Sequence, residues 1–228
     1  PLVPAFHQAV FADPTHTRVV LNLGGIANIS ILRPGQSALG FDTGPGNMLM
    51  DAWVQAQWQQ PYDAAGRLAA QGWVLPDLLH TLLAHPYFKQ PAPKSTGREL
   101  FSLPWLSGQL QGMENPHDVL RTLLEYSAAT VALAIEHEAP DAKQLFVCGG
   151  GIENTLLCSR IQERLPELTL HSTAELALHP QWVEAAAFAW LAACWLDGTP
   201  SNSPTATGAV GPRILGAAYR AAPLLNPI

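Results

Sequence analysis

The sequence predicts an α/β fold in which a mixed sheet is flanked by helices. Three observations carry that expectation. Short apolar runs separated by turn residues cluster before residue 42, helical periodicity follows, and a strand–glycine–helix unit returns at 145–165. Composition agrees: 48% of the 228 residues are apolar and only 13% are charged, about half the usual ~25%. That balance excludes a disordered tail or a coiled coil and fits a compact, soluble domain. No internal repeat or charge block interrupts it.

Val19 to Leu23 is an apolar run closed by Gly24-Gly25, and Ile29 to Leu32 resumes at once, which reads as a hairpin. Ala38 to Phe41 is a third strand, expected to break at the turn Thr43-Gly44-Pro45-Gly46. Met48, Leu49, Ala52, Trp53 and Ala56 then recur at helical spacing, with Asn47 as the expected N-cap. A second helix lies within Gly66 to His85, and 86–116, with five prolines, reads as a loop-rich insertion. Leu120, Leu123, Leu124, Ala128, Val131, Ala132 and Ile135 trace one face of a helix over 118–138. Leu145 to Cys148 is a strand ending at Gly149-Gly150-Gly151, followed by a helix from Asn154 to about Leu165 and a strand at Leu168 to His171. Gln181 to Asp197 is apolar on every side, which predicts a helix buried between layers.

The net charge of −6 and the absence of a basic cluster argue against nucleic acid as a partner. The longest apolar stretch, Ala185 to Leu196, is twelve residues, short of the ~20 that span a bilayer, so no membrane partner is expected. Three irregularly spaced cysteines (148, 158 and 194) suit reduced thiols in the cytoplasm better than a disulfide framework. No basic-then-apolar leader pattern is read at the start. The chain opens on Pro1 without a methionine, which reads as a piece of something longer. A homodimer is the one assembly the reading leaves open.

Three glycine turns carry the candidate chemistry. In Asn22-Leu23-Gly24-Gly25-Ile26-Ala27-Asn28, glycines let backbone N–H groups approach an anion; the motif alone is better explained by an ordinary hairpin turn, and the two flanking asparagines tilt the reading slightly towards a ligand. In Gly40-Phe41-Asp42-Thr43-Gly44-Pro45-Gly46-Asn47, a carboxylate ends a strand beside a helix start. Asp42 there can serve as a general base, hold a metal ion or cap its own turn, and the helix N-terminus offers N–H groups to phosphate. The Gly149-Gly150-Gly151 turn, leading to Asn154, has a nucleotide-binding shape without matching the GxGxxG fingerprint. Glu184, in the apolar helix, needs a ligand or partner, or else sits at the positive end of the helix. No P-loop, serine nucleophile elbow or zinc-ligand spacing occurs, and no metal-ligating residue is assigned. The seven tryptophans read as core or loop packing.

Together the turns supply phosphate ends, a carboxylate and a nucleoside face in that order, as expected of an actin-like or hexokinase-like (ribonuclease H-like) lobe of an ATP-dependent phosphotransferase. The segments LNLGGIANIS (21–30), GFDTGPGNMLMD (40–51), KSTGRELF (94–101), VCGGGIEN (147–154), VEAAAFAWLA (183–192) and TGAVGPRILGA (207–217) resemble the anhydro-N-acetylmuramic acid kinases. The resemblance implies that 1–228 is the C-terminal portion of a two-lobed kinase. It also implies ATP and Mg²⁺, and a small-molecule substrate, 1,6-anhydro-N-acetylmuramic acid from cell-wall recycling. That sugar is opened by water and phosphorylated on O6. Asp42 corresponds to the general base. Glu184 is expected to face the sugar, and His7, beside Phe6, is a further candidate contact. Gly24, Gly25 and Asn28 correspond to a phosphate loop, Gly44, Gly46 and Asn47 to the neighbouring turn, and Gly149, Gly150, Gly151 and Asn154 to the adenosine turn. A family segment of the form SGTSLDG does not occur in the 228 residues, so weak or no kinase activity is expected of this chain alone. The alternative is a non-catalytic module binding nucleotide or a muramyl sugar.

Overall fold

The computed structural model describes residues 2–219. Its strands are β1 (Arg18–Leu23), β2 (Ile26–Leu32), β3 (Leu39–Pro45), β4 (Gln144–Cys148) and β5 (Leu170–Ser172). They form one sheet in the order β3-β2-β1-β4-β5. The β1–β2 and β2–β3 pairs are antiparallel, while β1–β4 and β4–β5 are parallel, so the sheet is mixed as expected. Parallel pairing of β1 with β4 requires a long crossover, and the residues from α2 (Met48–Trp58) through α3 (Pro76–Leu83), α4 (Leu103–Ser107) and α5 (Pro116–Glu138) supply it. After β4 come α6 (Thr155–Arg164), β5, α7 (Val183–Leu196) and α8 (Pro204–Thr207).

Strand alternation divides the core in two. Val19, Leu21, Leu23, Ile29, Ile31, Leu145 and Val147 face one layer, where they meet apolar residues of α2, α3, α5 and α6. Val20, Leu32 and Cys148 face the other, beneath Phe6 and Phe11 of α1 (Val3–Phe11) and Val183 and Ala187 of α7. A period of two along each strand and helices on both sides thus fix the layers.

Several elements differ from the sequence expectation. The first elements were expected from Val19 onwards, whereas α1 precedes them, with Pro4 in its first turn, where proline's missing N–H costs nothing. β3 does not break at Thr43: it pairs with β2 as far as Pro45 opposite Ile26, and the Thr43 hydroxyl donates to the Ala27 carbonyl (3.2 Å). Asn47 precedes α2, but its side chain makes no capping bond. The insertion at 86–116 is only partly loop. It holds a 3₁₀ turn at Pro86–Lys89 and α4, and packs Tyr87, Phe88, Phe101 and Trp105 edge-to-face and stacked beside Tyr126 of α5. The helix expected to be buried on all sides buries only Val183, Ala187 and Cys194; Phe188 and Leu196 are 58% and 77% exposed. One face seats on the sheet beside α1, and among the described residues nothing covers the other. Trp73 and Trp182 are likewise exposed rather than packed.

Glu125 of α5 is buried and ties α6 to the core. Arg160 Nε donates to its Oε2 (2.8 Å), and Arg164 Nε and Nη2 donate to Oε1 (2.9 and 2.6 Å). Burial alone would raise the carboxyl, but the two guanidiniums outweigh it and hold the group below the usual range. Glu125→Ala should cost about 3 kcal/mol by denaturant unfolding at pH 7, because it leaves two arginines facing a vacated site. A depressed folded-state value gives stability that is present above the unfolded value and lost as pH falls through the folded one. The difference between the two proteins should therefore narrow as pH falls below the unfolded carboxylate value of about 4.

Candidate functional site

The polar positions of the sheet are set by the same alternation. Asn22 of β1 lies opposite Asn28 of β2, Asn28 opposite Asp42 of β3, and Asn22 beside Cys148 of β4. These residues form a row across one end of the sheet, on the face that α1 and α7 cover elsewhere. The row floors a cavity of about 440 Å³ bordered by His7 of α1 and Glu184 of α7, within the size range of small-molecule sites. A second cavity of about 360 Å³ is lined by Asn47, Met50, Asp51, Tyr62, Asp63, Gly151 and Asn154, among others. Gly150 and Gln181 line both, so the two spaces meet there.

Asp42 is held on three sides. Its N–H donates to the Lys94 carbonyl (3.0 Å), its carbonyl accepts from the Tyr87 hydroxyl (2.6 Å), and its Oδ2 accepts from the Thr96 N–H (2.9 Å). Burial raises its carboxyl above the usual range, and the Thr96 bond opposes that only in part. His7 Nδ1 lies 2.9 Å from the Ser30 hydroxyl, while its buried Nε2 has no partner among the described residues. Burial lowers its ring to about 3, so it is neutral near pH 7. Cys148 is raised to about 12 by burial and stays a thiol there.

The glycines divide by role. Gly149 has φ +84°, and a Cβ on it would stand 2.8 Å from the Leu23 carbonyl oxygen, so the turn passes tightly against β1. Gly150 is exposed, with open space around its Cβ position. Gly24 borders the first cavity.

The anhydro-N-acetylmuramic acid kinase family matches residues 1–221. The chain belongs to that family. It is 64% identical over 220 residues to the anhydro-N-acetylmuramic acid kinase of Neisseria gonorrhoeae, a match covering 96% of this chain and 60% of the relative. To that of Pseudomonas syringae pv. tomato it is 48% identical over 223 residues, covering 97% and 61% respectively. The chain therefore spans about three-fifths of the length of the curated relatives it matches. Xylulose kinase from Rhodospirillum rubrum superposes with a TM-score of 0.51 at 15% identity, covering 84% of this chain and 40% of that one. That likeness shows the actin/hexokinase-like fold.

Of the residues singled out in the sequence of this family member, His7, Gly24, Asn28, Asp42, Gly149, Gly150 and Glu184 line the first cavity, and Asn47, Gly150, Gly151 and Asn154 the second. Gly25, Gly44 and Gly46 line neither. Gly44 is enclosed by Phe88 and Thr130. Gly46 is packed so closely that a Cβ would fall on the Gly24 carbonyl oxygen. Three of the N–H groups that the motif was expected to offer to phosphate are already bonded within the fold. Gly46 and Met48 donate to the Gly25 carbonyl (2.9 and 3.0 Å), and Asn47 donates to that of Gly24 (2.9 Å). Glu184 is exposed in the first turn of α7, not buried within it.

Sequence reasoning marked Asn22 only as one of the two asparagines flanking the first glycine turn, and it missed Gln181, Tyr87 and Asp51. Strand alternation from Asn28 reaches Asn22, and helical spacing from Asn47 reaches Asp51 at i+4; no local signal marks the other two. Asp51 is pushed up to about 6 by burial, with no cationic partner among the described residues. Its raised value means the folded state loses stability as pH climbs from the unfolded value towards 6. Asp51→Asn should therefore raise ligand-free stability by about 2 kcal/mol at pH 7, a gain that disappears once pH falls well below the unfolded carboxylate value of about 4, read from paired denaturation curves.

Proposed function

We propose that this chain carries the reacting half of an ATP-dependent kinase that opens 1,6-anhydro-N-acetylmuramic acid with water and yields N-acetylmuramic acid 6-phosphate. One observation carries the reading: two cavities meet at Gly150 and Gln181, one holding a poised carboxylate and the other bordered by a glycine turn. The sugar occupies the cavity with Asp42, Glu184 and His7, and the nucleoside occupies the one beside Gly151 and Asn154. The transferred phosphoryl group then passes at the shared wall.

Asp42 takes a proton from water as the water oxygen bonds to the anomeric carbon. The bond from that carbon to O6 breaks, and O6 takes the γ-phosphoryl group, leaving ADP. The balance is sugar, water and ATP in; sugar phosphate, ADP and a proton out. A carboxylate on the face opposite the leaving oxygen is what attack at an anomeric carbon needs. His7, neutral and anchored by Ser30, offers Nε2 to a sugar hydroxyl. Glu184 accepts from another.

The residues fit a nucleotide: Gly150 leaves open space, and Gly149 draws the turn against β1. No cluster of three metal-ligating side chains occurs among the described residues. A Mg²⁺ ion would be held mainly by phosphate oxygens, with Asp42 in one cavity and Asp51, Asp63 and Glu153 in the other as the carboxylates within its surroundings. Such an ion supplies charge neutralisation on the phosphates.

The test is a coupled assay of the full-length protein with ATP and the anhydro sugar. ATP-dependent formation of the sugar 6-phosphate is expected, and its absence would overturn the reading. Asp42→Asn should lower kcat by about 10²–10⁴-fold while calorimetry shows ATP binding unchanged. Because burial raises Asp42, wild-type kcat should fall on the acid side at a pH above the usual carboxylate value of about 4. Gly150→Ala meets no atom within 4 Å and should leave stability within about 0.5 kcal/mol while weakening ATP binding at least tenfold. Unchanged ATP affinity would remove the nucleotide from this turn.

A further inference from the structure

We propose that Lys94 and Tyr87 are positioning residues for Asp42: the Lys94 ammonium gathers the turn at 87–90, so that the Tyr87 hydroxyl and the Thr96 N–H fix the main chain and carboxylate of Asp42. The inference rests on the reading of Asp42 as the base.

Lys94 Nζ donates to three main-chain carbonyls, those of Tyr87 (3.2 Å), Phe88 (3.4 Å) and Gln90 (3.1 Å), and lies 4.8 Å from the centroid of the Tyr87 ring. An ammonium has three protons, and all three are used within one turn. The same residue's carbonyl accepts the Asp42 N–H, and two residues on the Thr96 N–H reaches Oδ2. The Tyr87 ring is buried, and its hydroxyl reaches the Asp42 carbonyl. Lys94 thus closes a ring of contacts that begins and ends on Asp42.

Among the described residues Lys94 makes no ion pair within 4 Å; its charge is balanced by carbonyl dipoles, with Glu138 of α5 contributing at longer range. His137, Glu138 and Lys89 border the groove on its side, and His7 and Glu184 border the cavity on the side of Asp42. A base needs orientation without a neighbouring cation that would weaken it. An ammonium spent on carbonyls one layer back meets both needs.

The test uses the full-length protein, with Asp42→Asn as reference. Lys94→Met should lower kcat about 10- to 100-fold, the scale of a small misplacement at a reacting group, with KM for the sugar within about threefold. Losing the Thr96 bond removes a donor that favours the charged carboxylate, so the acid limb of kcat should move to higher pH. A purely structural defect would lower the amount of active enzyme without moving that limb. Tyr87→Phe keeps the ring and removes only the hydroxyl, so it carries the test if Lys94→Met does not fold; it should lower kcat in the same direction by a smaller factor. If both variants keep the wild-type rate and limb while Asp42→Asn is inactive, the inference is overturned and the base assignment stands. If Asp42→Asn turns over at the wild-type rate, the base assignment falls and takes the inference with it.

Discussion

The carbonyls of Gly24 and Gly25 accept three N–H bonds from the start of α2, and both cavities depend on that interlock. It joins a hairpin turn to a helix that begins more than twenty residues later. Ser127 of α5 adds a bond from its hydroxyl to the Gly46 carbonyl (2.9 Å), so the crossover helix fastens the same point. Gly46 must be glycine because its Cα lies against the Gly24 carbonyl. The result is a fixed wall: Gly24 borders one space and Asn47 the other. N–H groups consumed in building that wall are not available to a phosphate.

Much of this was legible in the sequence where a period carried it. Alternation in VVLNL and ISIL assigns Val19, Leu21 and Ile31 to one layer and Val20 and Leu32 to the other, and it also brings Asn22 and Asn28 onto one face. The helices at 118–138 and 154–165 lie within a residue or two of their expected bounds. The packing of 86–116 was not legible, because its anchors are aromatic rings and main-chain groups at no regular spacing. Tyr87 and Thr96 meet Asp42 through bonds spanning 45 and 54 residues. The surroundings of α7 were equally hidden. An apolar sequence announces that a helix seeks cover, but whether a neighbour covers each face is a property of the assembled molecule.

A buried carboxylate and a half-buried one show how partners decide the outcome of burial. Glu125 and Asp51 both lose water. Glu125 faces two guanidiniums and is held low, whereas Asp51 faces a cavity and is held high. The first knits helices together. The second costs stability that the fold would recover by substitution, which is the pattern of a residue kept for what binds beside it.

Asp42 falls between those cases, and the difference bears on its proposed chemistry. An arginine partner would orient the carboxylate firmly but would also drain its affinity for a proton. The structure instead surrounds Asp42 with neutral groups: an N–H that donates to the carboxylate, a hydroxyl that donates to its main-chain carbonyl, and a carbonyl that accepts from its N–H. Neutral groups restrict rotation with a much smaller loss of basicity, and the nearby imidazole of His7 is uncharged for the same reason of burial. The charge on Lys94 is turned towards carbonyls rather than towards the carboxylate. Rigidity and basicity, which a single ion pair would set against each other, are obtained from separate groups.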